Sequence, residues 1–420
     1  MAVVRLAYGR AGLEVDLPAG AEVLEPRHVE GLTAEADAIR RALREPIGSP
    51  PLRDLVPAGA AVGVSVCDVT RPFPASRVLP VLLEELGSAR VTVFVATGTH
   101  RACTAAELER MLGTEVLAAV EVVQHDAFDR ARHAQLGLVP GSAAPALVER
   151  AFIEQDVRLT TGFVEPHFFA GFSGGPKMVV PGLAHLDTVL ELHSAARIGD
   201  PRATWGVTHG NPVHDGIRGV AERAGVAFNL DVTLNREHRI TRVFAGEPAA
   251  SHAAGCAFAR DTAMAPVAAR YDVVVSTNSG YPLDLNLYQT VKGMSAAAQI
   301  VRPGGVILMA SECSDGLPDH GRYKDLLRES AGPAAFLERL ARAPAAEHDQ
   351  WQVQVQAQIQ RRARVLVHSG GLTHDQVRSA WLEPVDDLAA CAADLLREAG
   401  PGARLAVLPE GPQTIPYVAA

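Results

Sequence analysis

The sequence has 420 residues, of which 48% are hydrophobic and 21% are charged, and its formal net charge is −9. This is the composition of a globular protein that is long enough for two domains with buried cores. The negative charge and the lack of a long basic run argue against nucleic acid or an anionic membrane as the main partner.

The start of the chain and the cysteines bear on cellular location. No apolar segment is followed by a small-residue cleavage site, and no stretch reaches the roughly 18 apolar residues of a membrane helix. The cysteines are odd in number, scattered and without a CxxC pair: Cys67, Cys103, Cys256, Cys313 and Cys391. We therefore expect reduced thiols in a cytoplasmic protein rather than a disulfide framework or a thiolate metal site.

Six apolar runs of strand length alternate with helical patterns along the chain. They lie in the segments AAVGVSVCDVTRP, ARVTVFVATGTHR, DVRLTTGFVEPH, YDVVVSTNSGYP, GGVILMASECSDG and RLAVLPEGP. Thr104 and Glu107 form a capping box that predicts a helix start at Thr104. Buried strands alternating with helices predict an α/β protein with largely parallel sheets. We place a domain boundary between residues 265 and 266.

Several polar residues follow directly after predicted strands. Asp68 and Arg71 follow the first strand, His100 follows the second, and His167 follows the third. Since ligands of such sheets bind at the carboxyl ends of the strands, we expect a common site. Arg71 suits a carboxylate or phosphate, or else pairs with Asp68. His100 suits acid–base chemistry, or else packs within its loop.

The third strand leads into the glycine-rich segment PHFFAGFSGGPKMVVPG, from Pro166 to Gly182. Its glycines allow close approach of the backbone to a phosphate or a ring. Lys177 precedes an apolar run, so its amine is expected to be partly desolvated and nucleophilic. The alternative is a solvated loop lysine, which we rate lower because so dense a glycine loop rarely serves only to turn the chain.

Two predicted helices carry further candidates. HLDTVLELHSAARIG contains His185 and His193, which lack the HExxH spacing of a two-histidine zinc site. One of them alone could bind a metal whose other ligands are not protein groups; the alternative is that each is a packed or solvated residue. DLNLYQTVKGMSAAAQI presents Tyr288, Gln289 and Lys292 close together on a helix. This grouping suits the binding of an anionic ligand. The alternative is an exposed helix face with the tyrosine packed beneath it. The histidines of QHDAFDRARH and THGNPVHDG are interpreted as loop and surface groups.

Taken in order, six stretches resemble the nickel-pincer-nucleotide-dependent lactate racemase family. They are DVTRP, GTHR, PHFFAGFSGGPK, ELHSA, LYQTVKG and ECSDG, and the similarity extends over nearly the whole chain. The resemblance implies two α/β domains with largely parallel sheets and an active-site cleft between them. Residues 1–265 would carry the cofactor attachment and both catalytic histidines, and residues 266–420 would close the cleft.

The resemblance also implies a cofactor and roles for its ligands. The cofactor is nickel pyridinium-3,5-bisthiocarboxylic acid mononucleotide, a nickel-pincer nucleotide, linked covalently through Lys177. His193 would complete the nickel coordination, and soft sulfur donors suit a square-planar nickel. His100 and His167 would act as acid and base.

The remaining site residues follow from the same resemblance. Further cofactor contacts are implied for Asp68, Val69, Thr70, Arg71, Ser173, Gln289 and Lys292. The substrate pocket is implied to include Arg71, Tyr288, Lys292 and Trp351.

The implied activity is a racemase or epimerase, an isomerase that inverts C2 of lactate or another 2-hydroxy acid by proton-coupled hydride transfer. Removing the C2 proton instead would leave a carbanion beside a carboxylate, which side chains stabilise poorly. The expected partners are the small acid and the enzymes that build the cofactor, with no nucleic acid and no membrane. One alternative is a nicotinamide-dependent dehydrogenase, against which the lack of GxGxxG counts. Another is a non-catalytic nucleotide or organic-acid binder, for which paired histidines are not needed.

Overall fold

The computed structural model describes residues 2–319, 321–343 and 345–419. Its strands are, in chain order, β1 Ala2–Leu6, β2 Leu13–Leu17, β3 Glu22–Val23, β4 Ala61–Cys67, β5 Arg90–Ala96, β6 Glu121–Gln124, β7 His133–Leu138, β8 Pro145–Glu149, β9 Val157–Phe163, β10 Pro166–His167, β11 Gly171–Phe172, β12 Phe228–Leu234, β13 Ile240–Gly246, β14 Met264–Val267, β15 Tyr271–Thr277, β16 Val301–Ala310, β17 Arg364–His368, β18 Glu383–Pro384, β19 Leu405–Leu408 and β20 Ile415–Val418. Its α-helices are α1 Glu35–Arg44, α2 Leu52–Leu55, α3 Ala75–Leu86, α4 Ala105–Leu112, α5 Thr114–Ala119, α6 Arg150–Ile153, α7 Leu186–Leu192, α8 Ala195–Gly199, α9 Pro212–Arg223, α10 Pro248–Ala263, α11 Leu287–Ala298, α12 Tyr323–Arg328, α13 Pro333–Arg342, α14 Gln350–Gln360, α15 His374–Ser379 and α16 Leu388–Ala399. Short 3₁₀ turns occur at Arg130–Arg132, Gly175–Met178 and Gly411–Gln413.

The described chain forms two compact units. The N-terminal unit comprises residues 28–193 and 200–260, and the C-terminal unit comprises residues 2–27, 194–199 and 261–419. The sequence-based division at residue 265 did not group the start of the chain with the later part. This grouping arises because the β1–β2 hairpin packs Leu6 and Leu17 into the core of the C-terminal unit, while β3 pairs with β19.

The N-terminal unit is built on a six-stranded sheet in the order β13-β12-β9-β4-β5-β6. All neighbouring strands are parallel except β12 and β13. Val62, Val64 and Val66 of β4 are fully buried, and Phe228 at the start of β12 is 1% exposed. Strands buried on both faces need continuous apolar runs, which explains why β4, β5 and β9 were recognisable in the sequence.

The C-terminal unit has its own six-stranded sheet, in the order β18-β17-β16-β15-β19-β3. All of its neighbouring strands are parallel. The three predicted C-terminal runs form β15, β16 and β19. The predicted α/β class with largely parallel sheets is therefore confirmed.

One predicted helix is interrupted, and another begins where expected. Thr104 caps α4, and the capping box with Glu107 is complete. The segment expected to form one helix through His185 and His193 instead forms α7 and α8, with His185 as the N-cap and His193 as the C-cap of α7. The break has a local cause, since the His193 ring donates to the Val189 carbonyl oxygen and competes with backbone bonding at the helix end.

Two further features concern membranes and thiols. Within the described ranges, no helix combines the length and the apolar character needed to cross a membrane. All five cysteines are free; Cys391 is half-buried and the other four are buried. The buried Cys67 and Cys313 agree with their interpretation as small interior residues.

Candidate active site

His100 and Asp68 leave neighbouring strands of the N-terminal sheet. Cys67 at the end of β4 pairs in register with Ala96 at the end of β5, so the following loops start side by side. Nδ1 of His100 lies 2.8 Å from Oδ2 of Asp68. The Asp68 side chain is 4% exposed, whereas that of His100 is 47% exposed. The structure thus brings together two residues that the sequence placed at one site.

The Asp68 carboxylate fixes the proton position on His100. Its Oδ1 accepts from Thr70 Oγ1 at 2.6 Å, and its backbone oxygen accepts the Arg71 N–H at 3.2 Å. Burial raises the pKa of Asp68, but His100, Thr70 and Arg71 outweigh it and hold this pKa below the usual range. An ionised carboxylate can only accept, so the proton of neutral His100 is on Nδ1 and the lone pair is on Nε2.

The outer side of this turn is accessible. Thr70 and Arg71 are exposed, and Val69 is half-buried. Arg71 forms no ion pair with Asp68 within the part of the chain that the structure describes, although that pairing was the alternative interpretation of it.

The loop that carries Lys177 is held from beneath by a buried carboxylate. The Gly175 N–H donates to Asp231 Oδ2 at 3.0 Å, and Asp231 is fully buried. Gly175 has a φ of +49°, and a Cβ there would lie 2.4 Å from Cγ of His252. Only glycine fits this position. Lys177 follows in the 3₁₀ turn Gly175–Met178 and is half-buried, which agrees with the predicted partial desolvation.

Two further bonds shape the same loop. Ser173 Oγ donates to the Phe163 carbonyl oxygen at 2.8 Å and accepts the Glu165 N–H at 2.9 Å. The predicted cofactor contact Ser173 therefore already serves to close the loop. The Gly98 N–H donates to the Gly182 carbonyl oxygen at 3.0 Å, which joins the loop of His100 to the end of the loop of Lys177.

His167 lies in the short β10–β11 hairpin beside aromatic rings. Its ring centroid is 5.0 Å from that of Phe168 and 4.6 Å from that of Phe169. The Ala170 N–H donates to His167 Nδ1 at 3.3 Å. In this arrangement the neutral ring carries its proton on Nε2, which is the reverse of His100.

His193 packs against the same phenylalanine as His167. The centroids of the His193 and Phe169 rings are 5.2 Å apart, so Phe169 contacts both His167 and His193. His193 is 7% exposed, and its Nδ1 donates to the Val189 carbonyl oxygen at 2.7 Å. This bond leaves the lone pair on Nε2 and fixes the ring, as is usual for metal-binding histidines.

The other predicted site residues belong to the C-terminal unit. Tyr288, Gln289 and Lys292 are half-buried positions of α11, whose other residues up to Ala297 are buried. Nε1 of Trp351 donates to the Tyr288 hydroxyl at 3.3 Å, and Trp351 is 7% exposed. Trp351 therefore contacts α11 at Tyr288, and the site roles of the four residues stay predictions.

Sequence reasoning missed a buried network next to Lys177. His252 Nδ1 lies 3.0 Å from Asp231 Oδ2, and its Nε2 lies 3.4 Å from Cys256 Sγ. Burial opposes protonation, but Cys256 and Asp231 raise the pKa of His252 above its usual range. A cavity of about 330 Å³ adjoins this network, lined by Pro176 and Arg218 among others. The available signal was the four-residue spacing of His252 and Cys256, which places both on one face of α10.

The histidines of QHDAFDRARH, predicted to be surface groups, are buried beside a glutamate. His125 and His133, in QHDAFDRARH, are 3% and 4% exposed, and Glu149 is 2% exposed. The interpretation of these histidines as surface groups is therefore wrong, as it is for His214 of THGNPVHDG, which is 3% exposed, although the residues between His125 and His133 form a largely exposed loop. Both histidines lie at strand ends, after β6 and at the start of β7, which the sequence pattern did not reveal because these strands are only partly buried.

Comparison with known proteins adds to this geometry. Residues 8–206 match the family model described as the lactate racemase N-terminal domain, and residues 267–415 match the lactate racemase C-terminal domain. The lactate racemase of Thermoanaerobacterium thermosaccharolyticum is 32% identical over 99% of both chains, and that of Lactiplantibacillus plantarum is 32% identical over 98% of this chain and 99% of the relative.

The chain belongs to the lactate racemase family. As a member of this family it is an enzyme, an isomerase of the racemase type. The solved apoprotein of the T. thermosaccharolyticum lactate racemase has a TM-score of 0.92 at 32% identity and covers 99% of this chain and 100% of its own. A Thermotoga maritima protein with a TM-score of 0.68 and 19% identity, covering 91% of this chain and 98% of its own, shares the fold.

Proposed function

We propose that the protein inverts C2 of lactate or a related 2-hydroxy acid by proton-coupled hydride transfer to a nickel-pincer nucleotide attached to Lys177. The observation that carries this proposal is the pair His100 and His167, whose Nδ1 atoms face opposite kinds of partner: the Asp68 carboxylate for His100 and the Ala170 N–H donor for His167. The proposal includes the cofactor-building enzymes as partners and a cytoplasmic location, in keeping with the five free cysteines.

The residues present fit the chemistry of such a nucleotide. Lys177 supplies a half-buried amine for the covalent link, and His193 supplies Nε2 as a nickel ligand because its Nδ1 is bound to a backbone carbonyl. The exposed Arg71 suits a phosphate or carboxylate, and Gln289 and Lys292 suit an anionic group. When bound, the cofactor would supply a sulfur-ligated nickel beside a pyridinium ring that can accept hydride.

His100 is suited to remove the hydroxyl proton. Its side chain is 47% exposed, and Asp68 is placed to stabilise the imidazolium that forms when Nε2 accepts a proton. As the C2 hydrogen departs with its electron pair, the C2–O bond becomes a carbonyl, and the hydroxyl proton passes to His100. The product of this half-reaction is a planar 2-keto acid, which can be attacked on either face.

His167 is suited to the opposite role at the substrate oxygen. With Nδ1 bound to the Ala170 N–H, its Nε2 donates a hydrogen bond. A neutral ring cannot return its only proton without becoming an imidazolate, so His167 must first take up a proton from solvent. Protonation breaks the bond from the Ala170 N–H to Nδ1, which at 3.3 Å is a long one and costs little to break. The imidazolium then returns its Nε2 proton to the substrate oxygen and is neutral again. The two histidines can therefore exchange roles when the other enantiomer is the substrate, as a racemase requires.

The activity test uses protein produced together with the cofactor-building enzymes and supplied with enantiopure lactate deuterated at C2. We expect inversion with the deuterium retained and without added nicotinamide cofactor. Loss of the deuterium to solvent would indicate proton abstraction from carbon instead. A requirement for added NAD would favour the dehydrogenase alternative. A panel of enantiopure 2-hydroxy acids then identifies the preferred substrate.

The roles of the two histidines are tested by His100→Ala and His167→Ala. Each variant should lose about 10²–10⁴-fold in kcat/KM while keeping its nickel. Since the equilibrium constant between enantiomers is one, the loss must be equal in both directions. His209→Ala, at an exposed position of the same unit, is the control. Loss of nickel from both variants would assign these residues to metal binding rather than proton transfer.

A further inference from the structure

A cluster of three buried side chains lies in the N-terminal unit and has no part in the chemistry proposed above. We call His125, His133 and Glu149 the His125 cluster. One ligand atom from each lies within 4.8 Å of the other two. All three side chains are at least nine-tenths buried. Interior imidazoles and carboxylates normally have complete hydrogen bonding, so each atom of the cluster needs a partner.

His133 has a buried nitrogen without one. Its Nδ1 donates to the Asp129 carbonyl oxygen at 2.8 Å, which places the lone pair on Nε2. That Nε2 is buried and has no hydrogen-bond partner among the described residues. Burial lowers the pKa of His133 to about 4, so the ring is neutral and the lone pair is available at neutral pH.

His125 repeats the arrangement with its nitrogens reversed. Its Nε2 lies 3.1 Å from the Ala184 carbonyl oxygen and must donate to it. Its Nδ1 lies 3.3 Å from Glu149 Oε2. Burial raises the pKa of Glu149, but His125 and Arg132 outweigh it and hold this pKa below the usual range. A neutral His125 would then direct a lone pair at a carboxylate, and only a cation between them removes the repulsion.

We propose that the His125 cluster binds one divalent transition-metal ion of the zinc class. The ligands are His133 Nε2, His125 Nδ1 and a Glu149 oxygen. Two imidazoles and a carboxylate, with water as the fourth ligand, are a common zinc donor set. Zinc–ligand distances of about 2.0–2.2 Å place ligand atoms no more than about 4.4 Å apart, so small side-chain shifts close the site.

The groups around the His125 cluster are compatible with either a metal ion or a proton between His125 and Glu149. The Asp129 and Ala184 carbonyls accept the outer N–H of the two rings, which is the usual way in which zinc-binding histidines are oriented. Nη2 of Arg132 lies 3.0 Å from Glu149 Oε2 and competes for one lone pair of that oxygen. The alternative occupant is therefore a proton, which would make His125 an imidazolium paired with Glu149.

A bound ion would fasten the chain between Lys177 and His193. The Glu149 N–H donates to the Leu183 carbonyl oxygen at 2.8 Å, and His125 binds the next carbonyl, that of Ala184. The segment that leads into α7 is thus attached to the His125 cluster. The metal would stabilise this segment without contacting substrate, so its binding does not depend on the proposed racemase function.

The test uses full-length protein made without the cofactor-building enzymes and stripped of metal by a chelator. Zinc is titrated against an indicator, and thermal unfolding is followed in parallel. We expect one zinc per chain and a rise in Tm. Cobalt(II) in place of zinc should give the visible spectrum of a four- or five-coordinate nitrogen–oxygen site. No zinc binding by the wild-type protein would overturn the proposal and leave the proton as the occupant.

Variants locate the ion. Glu149→Gln keeps the shape of the side chain, and His133→Leu fills the same space; each should weaken zinc by more than the roughly 10–100-fold typical of outer-sphere changes. His209→Ala controls for the loss of a surface histidine. His193→Ala should bind zinc as the wild-type protein does. Equal zinc affinity in Glu149→Gln, His133→Leu and wild-type protein would refute the site, whatever the racemase activity.

Discussion

The two units have similar sheets but bury different kinds of polar group. Each is built on six strands, largely or wholly parallel. The N-terminal unit buries titratable groups such as Asp231 and His214. Among the described residues, the C-terminal unit buries fewer charged side chains, such as Asp284, and it also buries the amides of Gln352, Gln354 and Gln356 along α14. Because carboxylates and imidazoles titrate whereas amides do not, we expect the charge of the N-terminal interior to depend more strongly on pH.

The α14 amides serve the backbone. Their Nε2 atoms donate to the carbonyl oxygens of Tyr288 at 2.5 Å, Ala195 at 2.8 Å and Ala380 at 2.7 Å. In the N-terminal unit, buried histidines such as His125 and His214 also bind backbone carbonyl oxygens, beside the amide of Asn211. Titratable groups are thus concentrated in the unit that carries both proposed acid–base histidines, where perturbed pKa values are most useful.

The largest expected difference between the units is the cost of removing a buried polar group. Asp231→Ala leaves His252 and the Gly175 N–H without their carboxylate, and should lower the free energy of unfolding by about 3–5 kcal/mol. Gln356→Ala leaves the neutral Ala380 carbonyl and Tyr323 hydroxyl, and should cost about 1–3 kcal/mol. Urea denaturation measures both.

Asp231→Asn is the matched control, because it keeps the shape and removes the charge. It should fall between the wild-type protein and Asp231→Ala. If Gln356→Ala lowered the free energy of unfolding as much as Asp231→Ala, the prediction that a buried carboxylate costs more to remove than a buried amide would be wrong.

A smaller difference concerns pH. Burial, followed by the positive charges of His252, Arg218 and Lys177, lowers the pKa of His214 to about 3. The unfolded chain, with a histidine pKa of about 6.5, therefore takes up the proton first. Stability from neutral His214 is complete above pH 6.5 and is lost as the pH falls towards 3. Between pH 7.5 and 5 the loss is about 2 kcal/mol.

His214→Asn provides the comparison for this prediction, since an amide can still donate to the Ala170 carbonyl oxygen that His214 Nδ1 contacts. The variant should show a shallower decline of unfolding free energy over the same pH range. An unchanged pH dependence would mean that other groups account for the acid sensitivity.

The smallest effect tests a feature that both units share. Thr104 and Thr373 cap α4 and α15 through complete capping boxes, with Glu107 in one unit and Gln376 in the other. Thr104→Ala and Thr373→Ala should each cost about 1 kcal/mol. If the two costs differed by more than about 1 kcal/mol, the charge of Glu107, rather than the threonine hydrogen bond, would govern the stability of the first capping box.

The sequence predicted the parallel α/β class because strands buried on both faces need continuous apolar runs, as in β4 and β15. It also placed Asp68 and His100 at one sheet edge. It did not predict the break at His193, which depends on a ring-to-backbone bond within one turn. Asp231 was missed because a lone aspartate inside an apolar strand gives no pattern until Gly175 and His252 are folded onto it.

The most direct test of the account is the state of Lys177 in protein made together with the cofactor-building enzymes. Peptide mass analysis should find the nucleotide on Lys177 and not on Lys292 or Lys324, with about one nickel per chain. His193→Ala should keep the modified lysine and lose the nickel. Active enzyme with an unmodified Lys177, or nickel retained in full by His193→Ala, would contradict the claim that these two residues hold one cofactor.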